Sequence, residues 1–366
     1  MSEHLPSHPL SSKQITRRRL LQWGLGSSLG MLLPLTDAQA DLPKQKIPHL
    51  KGIADIGSLV KGFGFSRPGM VIEAKHPAVF SPGALAPNQL IVKKMLDAII
   101  MRLSGTDQPN RAWGSFVGPG DRVGILIDAQ GSELLRTRHA VISAVLEALK
   151  SAGVREHQTL LWTTYARDLP NMGYNLNTSG PGLKVAGADQ MGYDSNHSLE
   201  LPGGGLFGNK LQLSRIVSAL CTHIINISTL EDHPVIGTRL CLAQQAISSV
   251  SNGPSLERQW GGEPGIGQIA VWPIMRQRFV LHIIDGLAGT FNGGLNVWHP
   301  QILLGATDPV ALDSIGFSMI DAQRQSSGET AISGTNRTPR YINTAAINGV
   351  GINDTFRIKH QRINIK

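Results

Sequence analysis

Asp121-Arg122-Val123-Gly124-Ile125-Leu126-Ile127-Asp128 is a short apolar run bounded by charge, and the stretch Thr137–Ala152 follows it after one loop. In that second stretch Val141, Ala144, Val145, Ala148 and Leu149 recur at helical spacing, Gly153 stops the helix, and Thr159–Tyr165 is again strand-like. The first run has the length of a strand buried on both faces, and the second has the period of an amphipathic helix. Strand, helix, glycine and strand make a βαβ unit, which requires parallel strands with the helix on one face. The pattern recurs downstream: Thr222–Ser228 is strand-like and Thr238–Val250 helical, His282–Ile284 and Ile302–Gly305 are strand-like, and Pro309–Ile320 is a helix. The expected fold is α/β, a mostly parallel sheet flanked by helices, with residues 119–366 as one body.

Towards the N-terminus the pattern loosens. Residues 41–118 are rich in Gly and Pro, so long elements are not expected there, except that Leu90, Ile91, Met95, Leu96, Ile99, Ile100 and Leu103 keep helical spacing. This segment reads as an irregular N-terminal extension packed on the core. A second irregular passage, Pro170–Asn209, carries Asn171, Asn175, Asn177 and the triplet Gly203-Gly204-Gly205. It reads as a Gly/Asn-rich insertion holding turns and a hairpin or two, serving either as a binding loop or as surface.

Residues 1–40 have a different logic. Arg17, Arg18 and Arg19 precede an apolar segment, Leu20–Leu35, which is loosened by Gly24, Gly26, Gly30 and Pro34 and followed by Ala38-Gln39-Ala40. A charged lead, a short apolar run and a small-residue cleavage site resemble a twin-arginine export signal, with cleavage at Ala38 and Ala40. That resemblance implies passage through the twin-arginine translocase as a folded protein and a periplasmic location. No later run is long enough to span a bilayer. The net charge of +8 is spread along the chain rather than clustered, so nucleic acid is not an expected partner.

The motifs for several chemistries are missing. Two cysteines, Cys221 and Cys241, are too few for iron–sulfur ligation and match no zinc or redox spacing; a disulfide and two buried thiols both remain open. There is no dinucleotide fingerprint, phosphate loop or Gly-x-Ser-x-Gly elbow, so no cofactor is named by the sequence. The glycine-rich pieces at 285–289 and 292–294 carry only a weak anion-binding pattern.

What remains is a series of acids where strands end: Asp128, then Glu231-Asp232-His233, then Asp285, then Asp308. Ligands of open α/β sheets bind at the carboxyl ends of the strands, so these side chains are expected to converge on one crevice suited to a hard cation or to proton transfer. Asp232, His233 and Asp285 are the catalytic candidates, and Asp128, Asp308 and Asp313 are candidate cofactor-binding support. Simpler roles compete with these: a helix cap for Asp308 ahead of Pro309, a place near the positive end of the same helix for Asp313, a turn for Asp285, and a cap and a surface imidazole for Asp232 and His233.

Taken in order, Asp121-Arg122-Val123-Gly124-Ile125, Leu149-Lys150-Ser151-Ala152-Gly153-Val154, Ile224-Ile225-Asn226-Ile227, Asp232-His233, Ile284-Asp285-Gly286-Leu287 and Thr307-Asp308-Pro309-Val310-Ala311-Leu312-Asp313 resemble the domain of unknown function 362 family. The likeness runs over residues 119–355 and is nearest the family's exported branch. It implies lysines that this chain lacks: Leu126 stands in the first strand, Glu231 in the Leu-Lys-x-His segment, and Ala243-Gln244 or Gln244-Gln245 in the next helix. The ferredoxin segment of many members is missing too. Since lysines would suit an anionic ligand, the resemblance implies either a changed substrate, such as a cation or metal, or lost activity with a binding role kept. Two functions follow: a periplasmic accessory protein that binds a partner protein or assists a redox or transport complex, and a metal- or cofactor-dependent enzyme with an acidic pocket.

Overall fold

The computed structural model describes residues 65–131, 136–201, 210–263 and 265–365, the side chain of Trp260 excepted. The export-signal residues Arg17, Arg18, Arg19, Ala38 and Ala40 lie outside the described residues, as does Gly203-Gly204-Gly205. The strands in chain order are β1 (Met70–Lys75), β2 (Val123–Ile127), β3 (Thr159–Thr163), β4 (Lys184–Gly187), β5 (Tyr193–Glu200), β6 (Lys210–Ser214), β7 (His223–Leu230), β8 (Asp232–His233), β9 (Gly237–Thr238), β10 (Phe279–Phe291), β11 (Asn296–Trp298), β12 (Ile302–Ala306) and β13 (Lys359–Asn364). The main helices are α1 (Gln89–Ser104), α2 (His139–Ser151), α3 (Cys241–Ser249), α4 (Gly265–Val271), α5 (Pro273–Arg278), α6 (Pro309–Ser326) and α7 (Arg340–Ile347).

Nine strands form one mixed sheet in the order β13-β1-β12-β10-β7-β2-β3-β4, with β11 attached to β10. From β10 to β4 every pairing is parallel, while β12 is antiparallel to both β10 and β1. The fold is therefore α/β with a mostly parallel sheet. Its central strands β2, β7 and β10 are buried along almost their whole length because helices cover both faces. Alternation along each strand divides the side chains: Ile125, Ile127, Ile225, Ile227, Leu281 and Ile283 join the core beneath α1 and α2. Leu126, Ile224 and Phe279 face the core beneath α3, α4 and α7, and Ile284, Ile302 and Leu304 pack beneath α6.

Helix ends follow their local chemistry. Asn88 caps α1 through its side-chain oxygen, which accepts from the Leu90 and Ile91 amides, and Gly105 closes it at φ 77°. Asp308 caps α6 by accepting from the Ala311 amide, with Pro309 in the first turn. Among the described residues no helix is long and apolar enough to cross a membrane.

Three strands depart from the sequence expectation. Met70–Lys75, within the Gly/Pro-rich extension, is an interior strand of the sheet between β12 and β13; its apolar run is too short to stand out among the surrounding turns. Lys184–Gly187 forms the β4 edge of the sheet within the Gly/Asn-rich insertion, whereas the antiparallel β5–β6 ribbon agrees with a hairpin expected there. The strand expected at His282–Ile284 extends to thirteen residues, all buried. Both cysteines are free, buried thiols, and burial pushes the Cys221 thiol up to about 12.

Candidate functional site

Strand order locates the crevice. From β2 the chain steps outward through β3 to β4, then returns to lay β7 on the other side of β2 and continues to β10. The direction of winding reverses between β2 and β7, and at such a switch point the connections leave towards opposite faces. Here α2 belongs to one core and α3 to the other. Asp128 is the first residue beyond β2, and Glu231 the first beyond β7.

Between them lies Arg239, only 5% exposed. Its Nη1 is 2.5 Å from Asp128 Oδ2 and 3.7 Å from Glu231 Oε2, and its Nε is 2.7 Å from Glu257 Oε1. One guanidinium thus serves three carboxyl groups. Burial pushes the Glu231 carboxyl up to about 8, against the pull of Arg239 and aided by Asp128 and Glu257. The same three carboxyls hold Arg239 above its ordinary value despite its burial. Thr137 binds the two strand ends together: its hydroxyl accepts from the Asp128 amide at 2.9 Å and donates to the Ile227 carbonyl at 3.1 Å.

Asp285, from the middle of β10, is held by the next residue along that loop. Arg138 donates to it from the backbone amide and from Nη1, each at 3.0 Å, and the Leu287 amide adds a contact at 3.2 Å. Asp232 is likewise fully enclosed: Arg324 Nη1 donates at 2.7 Å, Arg337 Nη2 donates to the other oxygen, and the Gly293 amide donates at 3.0 Å. His233 Nδ1 accepts from the Val235 and Ile236 amides, both at 3.2 Å, so the imidazole proton sits on Nε2. Burial, with Arg239 and Arg337 near, brings its pKa down to about 4. The partners of Asp285 and of Asp232 are different residues, and no hydrogen bond or ion pair joins Asp285 to Asp232 or His233 among the described residues.

Asp308 departs from the expected convergence. Because β12 runs antiparallel, its carboxyl end meets the start of β10, with Ala306 opposite His282. Asp308 therefore stands at the amino ends of the parallel strands, away from Asp128. There it binds the Gly69 amide at 2.9 Å and the Ile352 amide at 3.1 Å besides capping α6. Asp313 is spent on structure as well: its two oxygens accept from the Cys241 and Leu242 amides at 3.0 and 2.9 Å, closing the first turn of α3 from a neighbouring helix. Asp128, Glu231 and Arg239 are the residues brought together at the switch point.

Beside Asp128 opens a cavity of about 340 Å³ at the ends of β2 and β3, lined by Gln130, Arg136, Tyr165, Arg167, Asp168 and Asn171 among others. The Arg167 guanidinium lies 4.6 Å from the Tyr165 ring centre, and Arg136 donates to the Asn171 carbonyl at 3.0 Å. Burial raises the Asp168 carboxyl, with Asp189 and Asp128 adding to the rise and Arg167 and Arg136 opposing it. Among the described residues no group of three or more His, Cys, Asp or Glu side chains is placed to hold a metal ion.

No family model matches this chain, and no curated protein matches it either.

Reading strand ends finds the acids but misses Arg138, Arg239, Arg324 and Arg337. All four lie roughly 90 to 150 residues from the acids they neutralise, beyond any local pattern. The usable signal was chemical: buried acids need partners, and Arg138 directly precedes a helix that follows a strand.

Proposed function

We propose that this chain is a periplasmic accessory protein, exported by the twin-arginine route, that binds a partner protein rather than acting on a substrate through its strand-end carboxylates. One observation carries the reading. Asp128, Asp232 and Asp285 each have an arginine against them and are 2% exposed or less. A general base needs an open lone pair facing substrate, and a hard cation needs several such oxygens converging. Buried arginine–carboxylate pairs with backbone donors on the remaining oxygens suit a rigid scaffold.

The likeness to the domain of unknown function 362 family belongs to this proposal. Leu126, where that likeness implies a lysine, is buried in the apolar core, and Glu231 stands against Arg239 instead of offering a cation. Support for a partner comes from the β5–β6 ribbon: β6 is bridged to Val250 on its outer side, β5 carries no further strand among the described residues, and its exposed Ser195, Asn196 and His197 bulge out of the ladder. An open strand edge is a ready template for another chain.

Native mass spectrometry of the protein purified from its own periplasm tests this. The expected result is a stoichiometric complex with a second protein that persists in Asp285→Asn. A metal or organic adduct lost in Asp285→Asn or Asp128→Asn would overturn the reading in favour of an enzyme.

A further inference from the structure

Positive charge that is scattered along the chain collects in space at one end of the sheet. β1 runs antiparallel to β12, which runs antiparallel to β10, and β13 is parallel to β1. With β7 and β2 parallel to β10, all of these strands except β12 begin at the same end. Basic residues stand at those starts: Arg357 and Lys359 at β13, Arg67 ahead of β1, Arg278 ahead of β10 and Arg122 ahead of β2. Arg102 joins them from the last turn of α1, which Arg67 reaches by donating from Nε to the Leu103 carbonyl at 3.3 Å. Arg122 and Arg278 flank Thr222: the Arg122 amide donates to its hydroxyl at 3.0 Å, and Arg278 Nη1 donates to its carbonyl at 3.3 Å. Among the described residues none of these six cations takes part in an ion pair, and the side-chain bonds of Arg67, Arg122 and Arg278 go to carbonyl oxygens. Of the acids at this end, Asp121 is paired with His223 at 2.8 Å and Asp308 is buried against backbone amides. The exposed Asp107, Glu156 and Asp354 offset only part of the positive charge.

An apolar anchor stands among these cations. Phe356, next to Arg357 and three residues before Lys359, is 99% exposed. Its turn is fixed by Asp354, whose carboxylate accepts from the Phe356 amide at 3.0 Å. A phenyl ring held out in water keeps its whole gain from burial for whatever covers it. We propose that this end of the molecule docks on an anionic lipid surface, with Phe356 entering the boundary between headgroups and acyl chains and the surrounding cations meeting lipid phosphates. The arrangement favours lipid over an acidic protein. β13 and β2 are five strand steps apart, so the cations form a row roughly 24 Å wide at about 4.8 Å per strand, a broad strip with one projecting ring rather than a pocket for a single carboxylate. The face lies at the other end of the sheet from the ion-paired acids, and the inference does not depend on the accessory reading.

The test is co-sedimentation of the full chain with vesicles of phosphatidylcholine alone and of an equimolar mixture with phosphatidylglycerol. Binding to the mixed vesicles that weakens with added salt is expected. Each cation near an anionic surface is worth roughly fivefold in partition, so Arg357→Glu combined with Lys359→Glu should weaken binding by about twentyfold or more. Phe356→Ser should weaken it by about fivefold or more. All three positions are exposed, so the variants keep the fold. Because both native cysteines are buried, a nitrobenzoxadiazole label at Phe356→Cys reports which end meets the vesicle. Its emission should brighten and shift to the blue on the mixed vesicles, while the same label at Leu295→Cys, at the exposed tip beyond the far end of β10, should not respond. Loss of binding on charge reversal but not in Phe356→Ser would mark the face as one for a soluble polyanion. Binding left intact by every variant would mark the apolar segment Leu20–Leu35 as the anchor. Either outcome overturns the proposal, as does absent binding or a response at Leu295→Cys alone. No second protein enters the measurement, so its failure leaves the partner reading standing.

Discussion

Arg239 Nη1 and Asp128 Oδ2 meet at 2.5 Å although the two residues stand 111 positions apart in the chain. The pair closes the gap between the ends of β2 and β7, where the sheet reverses its winding. Glu231 and Glu257 share the same guanidinium, so one cation neutralises a pocket that would otherwise concentrate negative charge.

Replacing Arg239 with Met should therefore destabilise the fold by about 3–5 kcal/mol, since removing one partner of a buried ion pair leaves the other charge uncompensated. Urea denaturation measures it. A loss below about 1 kcal/mol would show that the cluster is solvated and open to ligands.

Glu231 gives a pH signature with a definite sign. Its folded pKa, about 8, lies above the ordinary 4.5, so the folded chain keeps a proton that the unfolded chain releases. Stability from this site is full below about 4.5 and is lost as pH rises through about 8. Glu231→Gln should flatten that fall, and the difference in denaturation midpoint between the variant and the wild type should grow across pH 5–8. His233 works the other way: its pKa, lowered to about 4 from 6.5, makes stability fall as pH drops below 6.5. A Glu231→Gln profile parallel to the wild type would refute the buried, protonated carboxyl.

Asp308 is predicted to act as a clamp. It accepts from Gly69, Ala311 and Ile352 amides, so Asp308→Ala should cost about 2 kcal/mol or more, the upper end for a helix cap, because two long-range bonds go with it. Gly351 serves the same junction by close approach: a Cβ there would lie 1.9 Å from Asp308 Oδ1. Gly351→Ala should lower the thermal midpoint, and Asp308→Ala should partly relieve that penalty in the double variant. Strictly additive losses would argue against the clamp.

Asp232 separates structure from catalysis. With Arg324, Arg337 and the Gly293 amide all directed at it, Asp232→Ala should destabilise by about 3–5 kcal/mol and speed proteolysis within 292–294 and 333–338. A variant as stable and protease-resistant as the wild type would return Asp232 to the list of chemical candidates.

How much of this was legible in the chain depends on the range of the signal. The strand Arg122–Ile127, the helix Thr137–Ala152 and the cap Asp308-Pro309 were readable because each is decided within one short window, by period, by terminating glycine and by a side-chain acceptor beside orphan amides. Met70–Lys75 was not, since six residues among prolines and glycines carry no period that distinguishes an interior strand from an extended loop. The acids at strand ends were legible as positions, but their purpose was not.

By itself the sequence determined the βαβ pattern, the apolar faces of the helices and the placing of Asp128, Glu231 and Asp285 along the chain. Only the tertiary structure decided that β12 runs antiparallel and carries Asp308 to the other end of the sheet, and that four distant arginines meet the buried acids. Strand direction and ion pairing depend on which segments become neighbours in space. Periodicity reports which face of an element is buried; it does not say against what.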